Sequence, residues 1–372
     1  MNTTSFINII FCILVSQQLM TRSNFPSLAR RLIYLQFLIP LFIVLFLFDP
    51  EYMSDQLRYL SHVKALRENF FIWPEDFKVS NSVISFPSFL MALIPIPFIE
   101  STSDLGLANR LLFVFLLVYL YKQKFLPSYG LYILILYPSL LLYTSLALRE
   151  TLIIFFMILS YYLYTQNKFF SGIASFIFII NLKFQNAIFI VTLPIIDFFY
   201  SLGKIQKLFF IFFCILSSFL IYQYTVLVPH LDEYRYYFFW HDGGNIENYI
   251  SINNFTSLVR EFFFGFFDFL VKPLPSSISN NFQLAQLIEN IIVIIVLAAL
   301  FIKSYLIDKR ASIKWLIFFI LSIGTYGLVV YNFGTSARYR TPIIVLTLIG
   351  LLNILNTPSS YAQSSKENTH YQ

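Results

Sequence analysis

Residues 288–302 read IENIIVIIVLAALFI, and this stretch decides the fold class of the chain. Its apolar residues run without the alternation that a membrane β-strand requires, so it predicts a transmembrane α-helix. Residues 39–48, IPLFIVLFLF, show the same pattern. Of all 372 residues, 58% are hydrophobic and only 12% are charged, and the mean hydropathy is +0.72. These values exclude an ordinary soluble domain and predict an all-α, polytopic helical membrane protein.

Apolar runs of similar length recur along the chain and predict about eleven transmembrane helices. We place them at residues 5–20, 32–48, 105–121, 129–147, 151–165, 169–182, 186–200, 208–228, 284–302, 315–331 and 342–356. The first run has no basic residues before it and no small-residue cleavage site, so we interpret it as a membrane helix rather than a signal peptide. Residues 1–356 are predicted to form a single integral membrane domain, and the polar residues 357–372 a disordered cytoplasmic tail.

Basic residues fall in alternate short connections, and assigning these connections to the cytoplasm satisfies the positive-inside rule. Two long loops, residues 49–104 and 229–283, then face the outside of the membrane. Each contains an apolar segment too interrupted to span, at 85–99 and 262–270, which predicts interfacial or re-entrant helices. Their aromatic residues can act as headgroup anchors, line a slot for a lipid tail, or stack on sugar rings.

Three arginines interrupt the apolar sequence near the predicted outer face. Arg149 lies within SLALRETLI (145–153), and Arg338 and Arg340 lie within NFGTSARYRTPI (332–343). A guanidinium in or near a bilayer is energetically costly and usually faces a cavity, and its geometry suits phosphate oxygens. Converging with Arg149, the other two would match a diphosphate. The alternative is that they snorkel to lipid headgroups, with Glu150 capping the following helix.

The first outer loop begins DPEYMSDQLRYLSHVKALRE (49–68). If a helix starts at Ser54, then Asp55, Arg58, Tyr59 and His62 share one face by their three- and four-residue spacing. Asp55 could then act as a general base, with Arg58 beside it to bind an anionic leaving group. The alternative is a solvated amphipathic helix with internal ion pairs.

The second outer loop contains PHLDEYRYYFFWHDGGN (229–245), followed by Arg260, Glu261, Asp268 and Lys272. Its histidines, His230 and His241, are suited to proton transfer near neutral pH, although the HDGG segment is also typical of a simple turn. The four histidines of the chain have no paired His/Cys spacing, so no zinc-type metal site is predicted.

Cys12 and Cys214 both lie in apolar runs, which favours buried packing over a disulfide. No phosphate-binding P-loop, nucleophile elbow or dinucleotide motif occurs. The net charge of +6 is what lysine- and arginine-rich cytoplasmic loops produce. No basic stripe with interleaved aromatic residues occurs outside the spans, so nucleic acid is not an expected partner.

The stretches PSLLLYTSLALRETLI (138–153), SDQLRY (54–59) and GTSARYRTPI (334–343) resemble bacterial repeat-unit polymerases for O-antigen and capsule, the Wzy-type family. The layout of most of the chain is similar to that family and to related glycosyltransferases with polyprenyl-linked donors. The resemblance implies an inner-membrane enzyme that joins undecaprenyl-diphosphate-linked oligosaccharide repeats at the periplasmic face. Its expected partners are this lipid-linked oligosaccharide, the lipid bilayer and a chain-length regulator protein.

The resemblance assigns diphosphate binding to four arginines: Arg149, Arg338, Arg340 and Arg58. Asp55 is the first candidate for the general base, followed by His241 and His62. No cofactor or metal is expected, although the carboxylates of the first outer loop leave a metal possible. Two alternatives remain open. One is a glycosyltransferase that uses a polyprenyl-monophosphate sugar, and the other is a lipid-linked oligosaccharide flippase, for which the spans offer Lys183 and few other polar residues.

Overall fold

The computed structural model describes residues 3–43, 53–69, 82–209, 227–241, 249–252, 254–278, 280–331 and 333–356. Within these ranges the regular elements are helices and no strand occurs, which confirms the all-α prediction. Among the described residues, five helices are long and apolar enough to cross a membrane: Thr3–Arg22, Thr102–Lys122, Phe184–Ser201, Asn281–Ile307 and Gly334–Asn356. The total of about eleven spans stays a prediction. Residues 210–226 of the predicted span 208–228, the cysteine Cys214 and the tail 357–372 lie outside the described residues.

Within the predicted domain 1–356, the packing distinguishes two compact units. Unit 1 consists of Met1–Ile188 with Leu355–Gln372, and unit 2 of Phe189–Ile354. The helices of unit 1 are α1 (Thr3–Arg22), α2 (Ser27–Gln36), α3 (Ile39–Phe42), α4 (Asp55–Glu68), α5 (Ser82–Ala92), α6 (Thr102–Lys122), α7 (Ser128–Leu136), α8 (Pro138–Tyr143), α9 (Glu150–Thr165) and α10 (Phe169–Leu182). Helix α11 (Phe184–Ser201) begins in unit 1 and ends in unit 2.

Helix α6 is the core of unit 1. It is apolar around most of its circumference. Most of its side chains are buried, as expected for a helix surrounded by other helices. It packs against α1, α3, α4 and α9. Cys12, on α1, is a buried free cysteine, in agreement with the packing role that the sequence predicted.

The N-terminus of α6 is joined to α1 by the buried carboxylate of Asp104. Asp104 and Ser101 form a capping box, in which each side chain accepts a hydrogen bond from the other's backbone N–H. The same carboxylate accepts hydrogen bonds from Ser5 Oγ and Asn8 Nδ2, both at 2.9 Å. A buried anion is favourable at this position because it faces the positive end of the α6 dipole.

Prolines explain two differences from the predicted spans. The predicted span 129–147 is divided into α7 and α8 because Pro138 begins a new helix and holds the preceding Tyr137 in an extended conformation. In the last span, Pro342 was expected in the first helical turn. The helix instead begins at Phe333, and Pro342 lies inside it. Because proline has no N–H, the carbonyl of Arg338, four residues earlier, cannot accept the usual helical hydrogen bond from residue 342.

Unit 2 contains α12 (Leu227–His241), α13 (Phe255–Val271), a 3-10 turn (Pro275–Ser277), α14 (Asn281–Ile307), α15 (Lys309–Gly327) and all but the last two residues of α16 (Phe333–Asn356). Helices α13 and α15 approach closely through two glycines. A Cβ atom built on Gly265 would lie 2.6 Å from the backbone of Gly327. Small residues at such positions allow backbones in a membrane protein to come into direct contact. The apolar segments 85–99 and 262–270 of the predicted outer loops fall largely on α5 and entirely on α13, respectively.

We predict that Gly265→Ala destabilises the protein, because the new methyl group would overlap the Gly327 backbone and force α13 away from α15. The expected loss is about 1–3 kcal/mol in the free energy of unfolding. Gly172→Ala, in the first turn of α10, is the matched control because a Cβ there meets no atom closer than 4.0 Å. It should be neutral or stabilising. Thermal unfolding of the detergent-purified variants checks both outcomes, and equal midpoints for Gly265→Ala and the wild type would contradict the prediction.

Candidate functional site

The stretch around Arg149 forms a buried interruption between two helices. Helix α8 ends at Tyr143 and α9 begins at Glu150, and residues 144–149 between them are not helical. Residues 144–148 are buried. Backbone at membrane depth can leave the helical conformation only where protein or water satisfies its N–H and C=O groups. We call residues 144–149 the helix break.

Side chains from α4 and α6 satisfy the backbone of the helix break. The Asn109 amide donates to the carbonyls of Leu146 and Leu148, at 2.7 and 2.8 Å. The Gln56 side chain accepts a hydrogen bond from the Ala147 N–H at 3.1 Å. Because Asn109 and Gln56 are themselves buried, these bonds form away from competing water. They fix the path of the chain immediately before Arg149.

Arg110 and Gly106 complete this support from α6. Arg110 is fully buried, and its guanidinium donates to Thr144 Oγ1 at 2.6 Å and to Gln36 Oε1. Gly106, one turn earlier, allows the helix break to lie directly on α6, since a Cβ there would be 2.2 Å from the Ser145 carbonyl oxygen. Arg110 therefore holds the helix break in place, a role that the sequence analysis did not anticipate.

Arg149 lies at the end of the helix break and is partly exposed. Arg149 occupies the N-terminal cap position of α9, and its carbonyl accepts the hydrogen bond from Ile153 N at 3.0 Å, so Arg149 continues one face of α9 with Leu152 and Phe156. Leu152 and Phe156 line an apolar cavity of about 380 Å³. Helices α1, α5 and α6, together with the segment that follows α5, supply most of the remaining wall, through residues such as Val15, Leu90 and Leu111. A cation therefore lies one helical turn from an apolar cavity.

The helix predicted from Ser54 is present as α4 (Asp55–Glu68), with Ser54 at its N-terminal cap position. Tyr59 and His62 are buried, Asp55 is partly exposed, and Arg58 lies at the exposed edge of this face. His62 Nδ1 is 2.8 Å from the Arg58 carbonyl oxygen of its own helix. Gln56 brings this end of α4, and with it the adjacent Asp55, to the helix break. The roles of Asp55, Arg58 and His62 in a reaction stay predictions.

Arg67, which the sequence analysis left without a role, binds the end of α5. Its guanidinium donates to the carbonyls of Ala92, Ile94 and Ile96. These are the carbonyls at and beyond the last turn of α5, which lack partners within the helix. A cation at the negative end of a helix is favourable, so Arg67 connects α4 to α5.

Arg340 has a corresponding role at the end of α13 in unit 2. It is buried, and it donates to the carbonyls of Phe269 and Leu270, both at 3.1 Å, and to Asn290 Oδ1. The Asn290 amide in turn donates to the carbonyls of Val271 and Lys272. These bonds give Arg340 a structural role that the sequence did not predict, and they engage the donors that diphosphate binding would need. Its binding of a diphosphate stays a prediction.

Arg338 points differently from Arg340 because both lie on a helix rather than in an extended segment. Arg338 is partly exposed, and its guanidinium lies 6.0 Å from the ring centre of Tyr339. Arg149 belongs to unit 1, and Arg338 and Arg340 belong to unit 2. The convergence of the three guanidiniums stays a prediction.

The second outer loop contributes α12 and a short segment that packs against it. His230 is exposed and lies 3.5 Å from Glu233. His241 is the last residue of α12, and its side chain lies outside the described residues, so its role as a base stays a prediction. The Tyr249 hydroxyl donates to Asp232 Oδ1 at 2.7 Å. Burial, and then this hydrogen bond, raise the pKa of Tyr249 above its ordinary value.

Comparisons with protein-family models, with curated proteins and with solved structures found no match for this chain. Its function must therefore be inferred from its own residues. Within the described part of the chain, no group of three or more His, Cys, Asp or Glu side chains could hold a metal ion.

We predict that Arg340→Ala destabilises the protein by about 2–4 kcal/mol, because it leaves buried carbonyls at the end of α13 without donors. Arg338→Ala is the matched control, and it should change the free energy of unfolding by less than about 1 kcal/mol. Unfolding of the purified variants in detergent measures both. Asn290→Ala should be strongly non-additive with Arg340→Ala, since the two side chains serve the same helix end. Equal stability of the two arginine variants would rule out this role.

Proposed function

We propose that this chain is an integral membrane glycosyltransferase. It joins undecaprenyl-diphosphate-linked oligosaccharide repeats into a surface polysaccharide at the periplasmic face of the bacterial inner membrane. The observation that carries the proposal is the position of Arg149, a partly exposed cation at a helix start, one turn from an apolar cavity. A polyprenyl diphosphate combines an anionic head with an apolar tail and matches both features.

The cavity suits the lipid part of such a substrate. Its volume of about 380 Å³ lies within the range of ligand pockets, and its wall is formed by leucine, isoleucine, valine, proline and phenylalanine side chains. Nothing in that lining can hydrogen-bond to a sugar through a side chain, so an acyl or polyprenyl chain is the chemistry that it favours.

The start of α9 suits the diphosphate. The first N–H groups of a helix and its dipole favour an anion. The buried carboxylate of Glu150 lies in the first turn of α9, and the partly exposed Arg149 beside it supplies the cation for the diphosphate. Asn109 and Gln56 hold the preceding residues, so little ordering is required when the substrate binds. Arg338 is also partly exposed, and its part in binding the diphosphate stays a prediction.

In the proposed reaction, a hydroxyl of the incoming repeat attacks C1 of the donor sugar. Its proton passes to a carboxylate, for which Asp55 is our first candidate because it adjoins Gln56, which is hydrogen-bonded to the helix break. The bond between C1 and the diphosphate oxygen breaks, and Arg149 stabilises the negative charge that develops on the diphosphate. Positioning of the two substrates supplies much of the remaining rate enhancement.

We predict that deleting the gene in its native host leaves lipid A carrying a single repeat. Wild-type protein should restore long chains, and Arg149→Ala should lower elongation by about 100-fold, because the leaving-group charge is no longer stabilised. Electrophoresis of the surface glycolipid measures chain length, and immunoblotting of membranes measures the amount of protein. Arg31→Ala, at an exposed arginine of α2, is the control and should elongate normally.

Two results would contradict the proposal. Long chains from Arg149→Ala at normal protein levels would exclude the assigned role of this arginine. Complete loss of surface repeats after deletion would indicate a flippase or an earlier transferase instead.

A further inference from the structure

Unit 2 contains a small polar cavity of about 70 Å³ beside α13. Four charged side chains line it: Arg235, Glu261, Asp268 and Lys272. Further walls come from Phe264 and Phe269 of α13, and from the residues between α15 and α16, including Tyr331. We call this space the α13 cavity. Glu261, Asp268 and Lys272 have no role that the sequence alone predicts.

Arg235 is a fixed part of this cavity rather than a flexible binding group. Only 3% of its side chain is exposed, and it donates to the carbonyls of Leu328 at 2.7 Å and Ile250 at 3.2 Å. It also lies 3.5 Å from Glu261 Oε2, and its guanidinium is 6.0 Å from the ring centre of Tyr331. Arg235 therefore orients Glu261, whose side chain is 12% exposed.

Asp268 and Lys272 form the more accessible side of the α13 cavity. Their side chains are 53% and 32% exposed and make an ion pair of 2.5 Å one turn apart. Arg340 holds the backbone of the same turn through the Phe269 and Leu270 carbonyls. The buried arginines thus stabilise the helix ends, while a carboxylate and an ammonium group remain accessible on a fixed turn. Exposed ion pairs contribute little to stability, so this pair is available to exchange its partners with a ligand.

The size and charge of the α13 cavity indicate what it can bind. At roughly 10–15 Å³ for each water-sized site, it holds only a few non-hydrogen atoms. Two carboxylates and two cations balance each other, so neither an anion nor a cation is favoured. A hydroxyl both donates and accepts hydrogen bonds, and it can therefore pair with both signs of charge. Nearby aromatic rings provide apolar surface for the carbon side of a sugar.

We propose that the α13 cavity binds adjacent hydroxyl groups of a neutral sugar, with Asp268 and Glu261 accepting hydrogen bonds and Lys272 donating one. Resting on the function proposed above, the sugar is the acceptor end of the incoming repeat. In that reaction these residues bind the acceptor, and the proton of the attacking hydroxyl is taken elsewhere.

Direct binding tests this proposal without requiring polymerase activity. The probe is the repeat-unit oligosaccharide, cut from the host's surface glycan and freed of lipid, titrated into detergent-purified protein by calorimetry. Wild-type protein should bind it, and Asp268→Asn and Lys272→Gln should each weaken binding by about tenfold or more, because each removes a charged hydrogen-bonding partner. Lys303→Gln is the control, since Lys303 is an exposed cation of α14 outside the cavity lining. It should bind as the wild type does.

The double variant Asp268→Lys with Lys272→Asp separates ligand binding from a purely structural ion pair. It retains an ion pair on the last turn of α13 but exchanges the positions of acceptor and donor, so it should fold normally and still bind weakly. Restored binding in this variant, or no binding by the wild type, would overturn the proposal. The proposal would also be overturned if Arg149→Ala abolished binding of the oligosaccharide while Asp268→Asn left it unchanged. Failure of the proposed function is a separate result, because it appears as normal chain elongation in the deletion strain.

Discussion

The rest of this structure depends on one requirement: the carbonyl groups at the ends and interruptions of its helices need hydrogen-bond donors. Where these carbonyls are buried, water cannot satisfy them, and each unsatisfied group costs about 1–3 kcal/mol. The protein supplies long polar side chains instead. Arg67 binds the end of α5, Arg340 and Asn290 bind the end of α13, and Asn109 binds the helix break. Without these side chains the helices could not end where they do.

This constraint divides the arginines by what they contact. Arg110, Arg235 and Arg340 are buried and bind protein oxygens, so they determine where neighbouring groups lie. Arg149 and Arg338 are partly exposed, and Arg149 is the cation to which we assign the diphosphate. The residues to which we assign binding are therefore held in place by buried arginines and amides. Arg149 follows the helix break, and Asp268 lies in the last turns of α13.

In both proposed sites, buried polar side chains hold the binding residues in place. The two sites differ in the kind of ligand that they favour. In unit 1, an apolar cavity lies beside a cation and suits a lipid with an anionic head. In unit 2, a small charge-balanced cavity suits hydroxyl groups. A transferase that moves a glycan from one lipid carrier to another needs both kinds of surface, one for the donor's lipid diphosphate and one for the acceptor's sugar.

The sequence by itself determined that this is an all-α membrane protein, since uninterrupted apolar runs such as 291–302 favour helices in a bilayer. It also indicated a helix after Ser54, because the three- and four-residue spacing of a helix face is a local property. Only the tertiary structure decided what the arginines do. Arg340 and Phe269 are 71 residues apart, and Asn109 and Leu148 are 39 apart. No local pattern reports a hydrogen bond over such distances, so a buried structural arginine and an accessible ligand-binding one have the same appearance in the sequence.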